Sequence, residues 1–443
     1  MTTFNQELVR RLGALQRQAL YRELRRLDSA QGPRIVFSGR TLLNFSSNDY
    51  LGLANEPVLK AAAVQAVQQF GAGAGASRLV CGSLAPHHEL EEALAAFKGT
   101  DGALSFSSGY AAAVGAICAL IGSDDVVILD KLVHACIVDA ARLSGAKLRV
   151  FPHNDLQALE DMLRWTADRS RSREPGARDK APHVLVVTES VFSMDGDHAP
   201  LRELVELKDR FNAWLMVDEA HATGLYGPNR RGLAEAIGVS DRIEIHMGTL
   251  GKALGAAGGF ICGARSLIDY LVNRARSFIF STAPVPAAAA AATAGVRFVQ
   301  SAAGAERCAR LWSLAAQCRT GLPPVPEVRA RREPAPARAA DPGLTPKPDR
   351  RAADPACSAI IPLIIGDEAR TLETAARLRG EGFFIPAIRY PTVARGAARL
   401  RLTVTAAHSP GDVEELLNGL RKLGLASPRV PAASTIINQQ SGI

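Results

Sequence analysis

Lys252 stands in the run Gly248-Thr249-Leu250-Gly251-Lys252-Ala253-Leu254-Gly255, downstream of Asp218-Glu219-Ala220-His221. An amine held between glycines just past an apolar run can project from a strand end into a cleft. Loss of water there lowers its pKa enough for Schiff-base chemistry. Asp218 ends a second apolar run, 214–217, and an acid at that place can hold the proton on a pyridine nitrogen. A Schiff-base lysine and an acid that keeps a pyridine ring cationic are what pyridoxal 5'-phosphate asks of a protein. Each residue also has a plainer reading. A lysine in a glycine-rich loop is usually a solvated charge, and an acid at a strand end commonly caps the next helix.

Three further features bear on the same chemistry. His221, three residues past the acid, can reach the ring's phenolic oxygen or can pack at a helix start. His134, in Leu132-Val133-His134-Ala135-Cys136, can stack flat on a ring or be an ordinary core histidine. Ser107-Ser108-Gly109-Tyr110 opens an alanine-rich helical run, which offers N–H groups and a helix dipole to a phosphate, or simply a cap. The run Asp218 to His221 also matches the magnesium-holding acid of a nucleic-acid motor. Such a motor needs an upstream GxxxxGK[ST] loop. Gly251-Lys252 has His246 where the first glycine belongs and Ala253 where the hydroxyl belongs, and it lies downstream of the acid.

These residues must be positioned by elements legible in the hydrophobic pattern. Between about 100 and 262 short apolar runs alternate with helix-like stretches, the signature of an α/β fold with a mainly parallel sheet wound by helices. The runs 103–106, 126–129, 184–188, 214–217, 243–247 and 259–262 read as strands, and the chemistry-bearing residues fall just after them. In such sheets ligands bind outside the carboxyl ends of the strands. The organisation expected is an N-terminal helix and extended segment (1–50), a large domain (51–295), a smaller α+β domain (296–430) and a flexible tail (431–443). Leu8, Leu12, Leu15, Leu20 and Leu24 predict an amphipathic N-terminal helix that packs on the body or meets a partner. The tract 287–292 reads as a helix start behind prolines. Strands are expected at 360–365 and 400–405, and helices at 369–380 and 411–423. The stretch 322–356, with nine prolines and six arginines, reads as a disordered or extended insertion.

Composition bounds the rest. Of 443 residues 47% are hydrophobic and 22% charged, values of an ordinary soluble protein. The net charge of +8 is scattered or gathered in the insertion, with no basic recognition helix, so no nucleic-acid partner is expected; attraction of an anionic substrate is the milder reading. Seven cysteines without metal-ligand spacing fit reduced thiols in a cytoplasm and no metal site. No run is apolar enough to span a bilayer, and the first residues lack a signal-peptide core.

Taken together, the ordered runs resemble the α-oxoamine synthases, which condense an amino acid with an acyl thioester and lose carbon dioxide. The similarity extends from about Leu43 to Leu423 outside the insertion. It is carried by Asn44-Phe45-Ser46-Ser47-Asn48-Asp49-Tyr50-Leu51-Gly52, Ser77-Arg78-Leu79-Val80-Cys81-Gly82-Ser83, Thr188-Glu189-Ser190-Val191-Phe192-Ser193-Met194-Asp195-Gly196, the aspartate-to-histidine run, Gly248 to Gly255 and Arg399-Leu400-Arg401. Cys136 departs from the family's usual serine.

The resemblance implies a fold-type I pyridoxal-phosphate transferase built as a homodimer with active sites at the subunit interface. It implies Lys252 as the Schiff-base lysine, Asp218 and His221 at the ring and His134 stacked on it. Thr249 with Ser108, Gly109 and Tyr110 would hold the phosphate, and Ser281-Thr282 would approach the neighbouring subunit's phosphate. Glu189, Ser193 and Asn48 would contact substrate or support those that do, and Arg401 would grip the amino-acid carboxylate through a two-pronged pair. Within the family, Ala387-Ile388-Arg389-Tyr390-Pro391-Thr392-Val393 is similar to members of the biotin pathway that join L-alanine to a pimeloyl thioester of coenzyme A or of a carrier protein. Arg389 would there pair the acyl chain's free carboxylate; a surface salt bridge is its other reading. A glycine- or serine-using synthase and a catalytically idle scaffold of the same fold are the competing expectations.

Overall fold

Apolar runs rich in Val, Ile and Leu that end at polar residues are the pattern of strands buried on both faces, and here they form the middle of a seven-stranded sheet. The computed structural model describes residues 2–171, 182–323 and 358–426. The proline-rich stretch past Pro323, and the tail 431–443, lie outside the described residues. In chain order the strands are β1 (Arg34–Phe37), β2 (Arg40–Asn44), β3 (Gly102–Phe106), β4 (Val126–Asp130), β5 (Lys147–Phe151), β6 (Val184–Glu189) and β7 (Trp214–Asp218). They continue with β8 (Ile245–Thr249), β9 (Gly259–Gly263), β10 (Ile360–Gly366), β11 (Phe383–Phe384), β12 (Ala387–Ile388) and β13 (Ala398–Thr403).

The large sheet has the order β3-β9-β8-β7-β6-β4-β5. Successive side chains point to opposite faces, so the sheet feeds two cores. Val127, Leu129, Val187, Met216 and Met247 pack with Ala113, Ile117 and Ile137 of the helices on one side. Val126, Ile128, Val186, Val217 and Phe260 pack with Leu94, Phe97 and Leu204 on the other. Strands β8, β7, β6, β4 and β5 pair in parallel, whereas β9 runs antiparallel to both β8 and β3. The reason lies in the connection. Only residues 250–258 join β8 to β9, too few for the crossover a parallel neighbour needs. The edge strand β5 was not expected, because its alternating Lys147-Leu148-Arg149-Val150-Phe151 is half solvated and lacks a continuous apolar run.

Two three-stranded sheets, β1-β2-β11 and β10-β13-β12, flank the large one. The helices expected behind the prolines and near the C-terminus form as Pro286–Gln300, Glu368–Gly380 and Pro410–Lys422. The N-terminal helix corrects an expectation. It covers Thr3–Arg17 and buries no residue, so its leucines do not pack on the body of this chain. Ala19 adopts a left-handed backbone (φ 55°), which breaks the helix before Leu20 and Leu24; Leu20 is then buried separately, and Leu24 is fully exposed.

One buried ion pair ties a helix end to the back of the site. Lys98, last in the helix Ala85–Lys98, donates to Glu219 Oε2 at 2.6 Å and to the Arg231 carbonyl at 2.6 Å. Glu219 Oε1 accepts the Ala234 N–H at 3.0 Å. Although burial alone would raise the pKa of Glu219, the Lys98 charge and these donors hold it at about 2. Lys98→Met leaves that carboxylate buried without its cation. We expect a loss of about 3–5 kcal/mol in urea unfolding, largely recovered when Glu219→Gln is added.

Candidate active site

Because β4, β6, β7 and β8 run in parallel, their carboxyl ends lie on one edge, where Glu189 and Asp218 are direct register partners. The turns after β3, β4, β6, β7 and β8 carry Ser108, His134, Ser193, His221 and Lys252 respectively. The sheet therefore gathers residues separated by more than a hundred positions in sequence.

Lys252 donates or accepts at 2.8 Å with His221 Nε2, and His221 Nδ1 lies 2.5 Å from the Tyr50 hydroxyl. Tyr50 lies 3.5 Å from Arg401 Nη2. A continuous polar chain thus runs from Arg401 through Tyr50 and His221 to the lysine amine. Burial lowers the Lys252 pKa, opposed by the negative charges of Asp218 and Glu189. Burial likewise holds His221 well below its ordinary value, helped by the positive charges of Lys252 and Arg401. Asp218 and Glu189 are shifted upward by the same loss of water. Asp218 Oδ1 accepts the Ala220 N–H at 2.9 Å, and Glu189 Oε2 accepts that of Ser193 at 3.2 Å. Glu189 Oε1 is buried with no partner among the described residues.

His134 caps the helix Ala135–Leu143. Its Nδ1 accepts the Cys136 N–H at 3.2 Å and lies 3.0 Å from Cys136 Sγ. Burial lowers the His134 pKa and pushes that of Cys136 up to about 12. The ring is therefore neutral, and with Nδ1 accepting, its proton resides on Nε2. Ser108 caps the helix Gly109–Leu120 and accepts the Ala111 N–H at 3.1 Å. A Cβ built on Gly109 would stand 4.0 Å from that of Thr249, so Thr249 flanks this helix N-terminus. A Cβ on Gly259 would lie 2.6 Å from Gly109 N, so only glycine lets β9 approach the turn. The Tyr110 hydroxyl donates to Asp139 at 3.0 Å, away from the turn's own N–H groups.

Arg401, in β13, donates to the Ser193 carbonyl (2.6 Å), Asn48 Oδ1 (3.0 Å) and Thr403 Oγ1 (2.9 Å). Arg389 is not in this cluster. It follows β12, whose Ile388 faces Arg399 in register, and it donates to the carbonyls of Ala19 and Tyr21. Among the described residues it forms no salt bridge. Burial lowers its pKa, and the neighbouring charges of Arg22 and Arg25 add to this. Ser281 and Thr282 follow the short helix Arg276–Ile279, with Thr282 bridged to Ser77; no contact joins them to Lys252 among the described residues. Sequence reasoning gave no role to Tyr50, and noted Cys136 only as a departure from a usual serine. Tyr50 lies two residues past Asn48 in the same matching run, which was the available signal. Among the described residues no helix is long and apolar enough to cross a membrane.

The pattern of the aminotransferase class I and II family matches residues 40–420. The chain is 48% identical over 409 residues to an 8-amino-7-oxononanoate synthase of Anaeromyxobacter dehalogenans (strain 2CP-1 / ATCC BAA-258), spanning 92% of this chain and 93% of that one. The chain belongs to the class I and II aminotransferases, in their 8-amino-7-oxononanoate synthase branch. A synthase of that name from Geotalea daltonii is 43% identical over 96% of this chain and 99% of its own. Among solved structures, a serine palmitoyltransferase from Sphingomonas wittichii superposes with a TM-score of 0.79 at 28% identity, over 96% of this chain and 97% of that one. An 8-amino-7-oxononanoate synthase from Francisella tularensis shares the fold, with a TM-score of 0.64 at 24% identity over 86% of this chain and 98% of that one.

The cofactor of this fold-type I aminotransferase is pyridoxal phosphate. The site's groups fit it: a helix N-terminus flanked by Thr249, a buried acid raised by loss of water, a neutral imidazole and a desolvated amine. Schiff-base formation needs the neutral amine. The rate at which the apoprotein captures pyridoxal phosphate should therefore rise with pH through a midpoint below the 10.5 of an ordinary lysine. Because the Asp218 charge holds the Lys252 pKa up, Asp218→Asn should move that midpoint lower still in stopped-flow absorbance.

Proposed function

We propose that this site condenses L-alanine with a pimeloyl thioester, giving 8-amino-7-oxononanoate, carbon dioxide and the free thiol, an early step of biotin synthesis. The observation that carries this is the 48% identity across 92% of the chain, joined to a site in which amine, acid, imidazole and guanidinium converge. Bound here, pyridoxal phosphate would supply an electron sink for the carbanion made at the substrate's α-carbon.

The chain's own residues divide the work. Lys252 would hold the cofactor through its amine and, once the substrate's amine has replaced it there, would take the α-proton; its lowered pKa keeps a neutral base available near physiological pH. Asp218 would hold the proton on the pyridine nitrogen, and a cation there would offset the burial that raises the acid's pKa. His221, fixed by Tyr50, would bond the phenolic oxygen. Ser108, Gly109, Tyr110 and Thr249 would hold the phosphate from one subunit, and Ser281 and Thr282 would reach the phosphate of the other. Arg401, already oriented by Asn48, Ser193 and Thr403, holds the alanine carboxylate with the remaining donors of its fork. Glu189 keeps the Ser193 turn in place beneath it. His134 donates from Nε2 to the thioester oxygen as negative charge develops there. Arg389, with Arg22 and Arg25, meets the distal carboxylate of the pimeloyl chain. Enzymes of this fold are typically dimers, and we propose a cytoplasmic homodimer with each site completed by its partner.

Thiol release from pimeloyl-coenzyme A by the cofactor-loaded protein should occur with alanine and fall sharply with glycine or serine. Release with serine in preference to alanine would overturn the substrate assignment and favour the chemistry named for the serine palmitoyltransferase neighbour. Lys252→Ala should abolish turnover; substantial residual activity would remove the lysine from its role. Arg389→Ala should raise the Michaelis constant for pimeloyl-coenzyme A roughly tenfold while leaving that for alanine unchanged.

A further inference from the structure

A second charged cluster lies just beyond the site, at the ends of β4 and β5. His153 sits between two aspartates: Nδ1 is 3.0 Å from Asp130 Oδ1, and Nε2 is 2.7 Å from Asp197 Oδ2. Two carboxylates on one imidazole require both ring nitrogens to donate, so the ring is an imidazolium. Asp130 is fully committed. Its Oδ1 also accepts the Leu132 N–H at 2.8 Å, and its Oδ2 accepts that of Asn154 at 2.8 Å. The first of these bonds braces the turn that carries His134. Asn154 in turn donates to the His198 carbonyl at 3.1 Å, and the His153 ring meets Phe192 edge-on with centroids 4.3 Å apart.

Asp197, His198 and Phe192 all belong to the loop 190–199, which is closed on itself by the Phe192 N–H to Asp197 carbonyl bond of 2.9 Å and by Ala199 to Ser190 at 3.1 Å. The same loop meets two arginines of β13. Its Ser193 carbonyl accepts from Arg401, and its Asp195 carboxylate pairs with Arg399. A single polar path therefore links the His134 turn, through Asp130, His153 and Asp197, to the strand bearing Arg401.

We infer that His153 is a positioning residue: held between Asp130 and Asp197, it fastens the loop 190–199 so that Ser193 holds Arg401, and Asp195 its strand neighbour Arg399, where the amino-acid carboxylate arrives. The mechanism above makes no use of His153. Its charge matters because a neutral side chain of similar size can satisfy one aspartate but leaves the other facing the loop without a cation. The inference rests on Arg401 taking the carboxylate, and the test separates the two.

In the cofactor-loaded enzyme, His153→Gln should speed amide hydrogen exchange across 190–199 and raise the Michaelis constant for alanine roughly tenfold, with kcat and the cofactor's absorbance spectrum little changed. Asp197→Asn, which leaves the ring and its bond to Asp130 in place, should give the same pattern more weakly and serves if His153→Gln does not fold. Unchanged exchange in the loop overturns the inference. So does faster exchange with an unmoved alanine constant, provided Arg401→Lys raises that constant. If Arg401→Lys leaves the constant alone, the carboxylate assignment itself falls and the inference falls with it. A loss of cofactor binding without a selective effect on alanine would make His153 merely structural.

Discussion

The site depends on keeping an amine dry. Removing Lys252 from water makes its ammonium form costly and its neutral form available, the form that chemistry at a carbonyl requires. An uncompensated charge could not stay there. Asp218 and Glu189 sit across from it on adjacent, in-register strand ends, and each pays the same desolvation that the lysine does. The result is a set of groups whose pKa values are displaced toward one another, so that a proton can pass among them at modest cost. His221 stands apart from this set: a second cation beside Lys252 and Arg401 is disfavoured, its pKa is pushed further down, and the ring remains neutral.

Around this desolvated centre the fold supplies charges that do not react. Lys98 and Glu219 neutralise each other directly behind Asp218, and Arg78 pairs with Glu91 on the flank at 2.8 Å. Arg401 is oriented by neutral oxygens of Asn48, Ser193 and Thr403, which leaves its positive charge unspent. That contrast separates structural from functional arginine here. A guanidinium facing a carboxylate of its own chain is finished, whereas one facing only carbonyls and hydroxyls still has a charge to offer.

How much of this was legible in the sequence follows from which interactions are local. Strand ends were readable, because a buried parallel strand must be apolar throughout and must stop at its first polar residue; Asp218, Glu189 and the turn at Ser108 all announce themselves in this way. The reversed direction of β9 was not, because an apolar pentapeptide carries no arrow, although the short stretch before it does limit the choice. Edge strand β5 escaped because its polar face looks like a loop. Tyr50 could not be found by periodicity, since it reaches His221 across 171 positions. The N-terminal leucines illustrate the opposite error, in which a regular spacing continues past a point where Ala19 turns the chain out of the helix. Arg389 was read as pairing a substrate carboxylate or making a surface salt bridge, and nothing local in the sequence showed that its guanidinium also meets the carbonyls of a segment nearly the whole chain away.

The antiparallel return of β9 has a mechanical meaning. The stretch between β8 and β9 is pinned across its base by the Leu250 N–H to Gly258 carbonyl bond at 3.0 Å and across its waist by Ala256 to Leu250 at 2.9 Å, and Gly255 N–H closes on the Lys252 carbonyl itself. Gly255 is wedged so near Leu53 that a Cβ there would come within 2.5 Å of it. The backbone beneath the lysine is thus a fixed post, and the side chain is a jointed boom upon it. Whatever distance the amine covers between grasping one carbon and receiving a proton from another must come from rotation about its four methylene bonds, without any movement of the sheet.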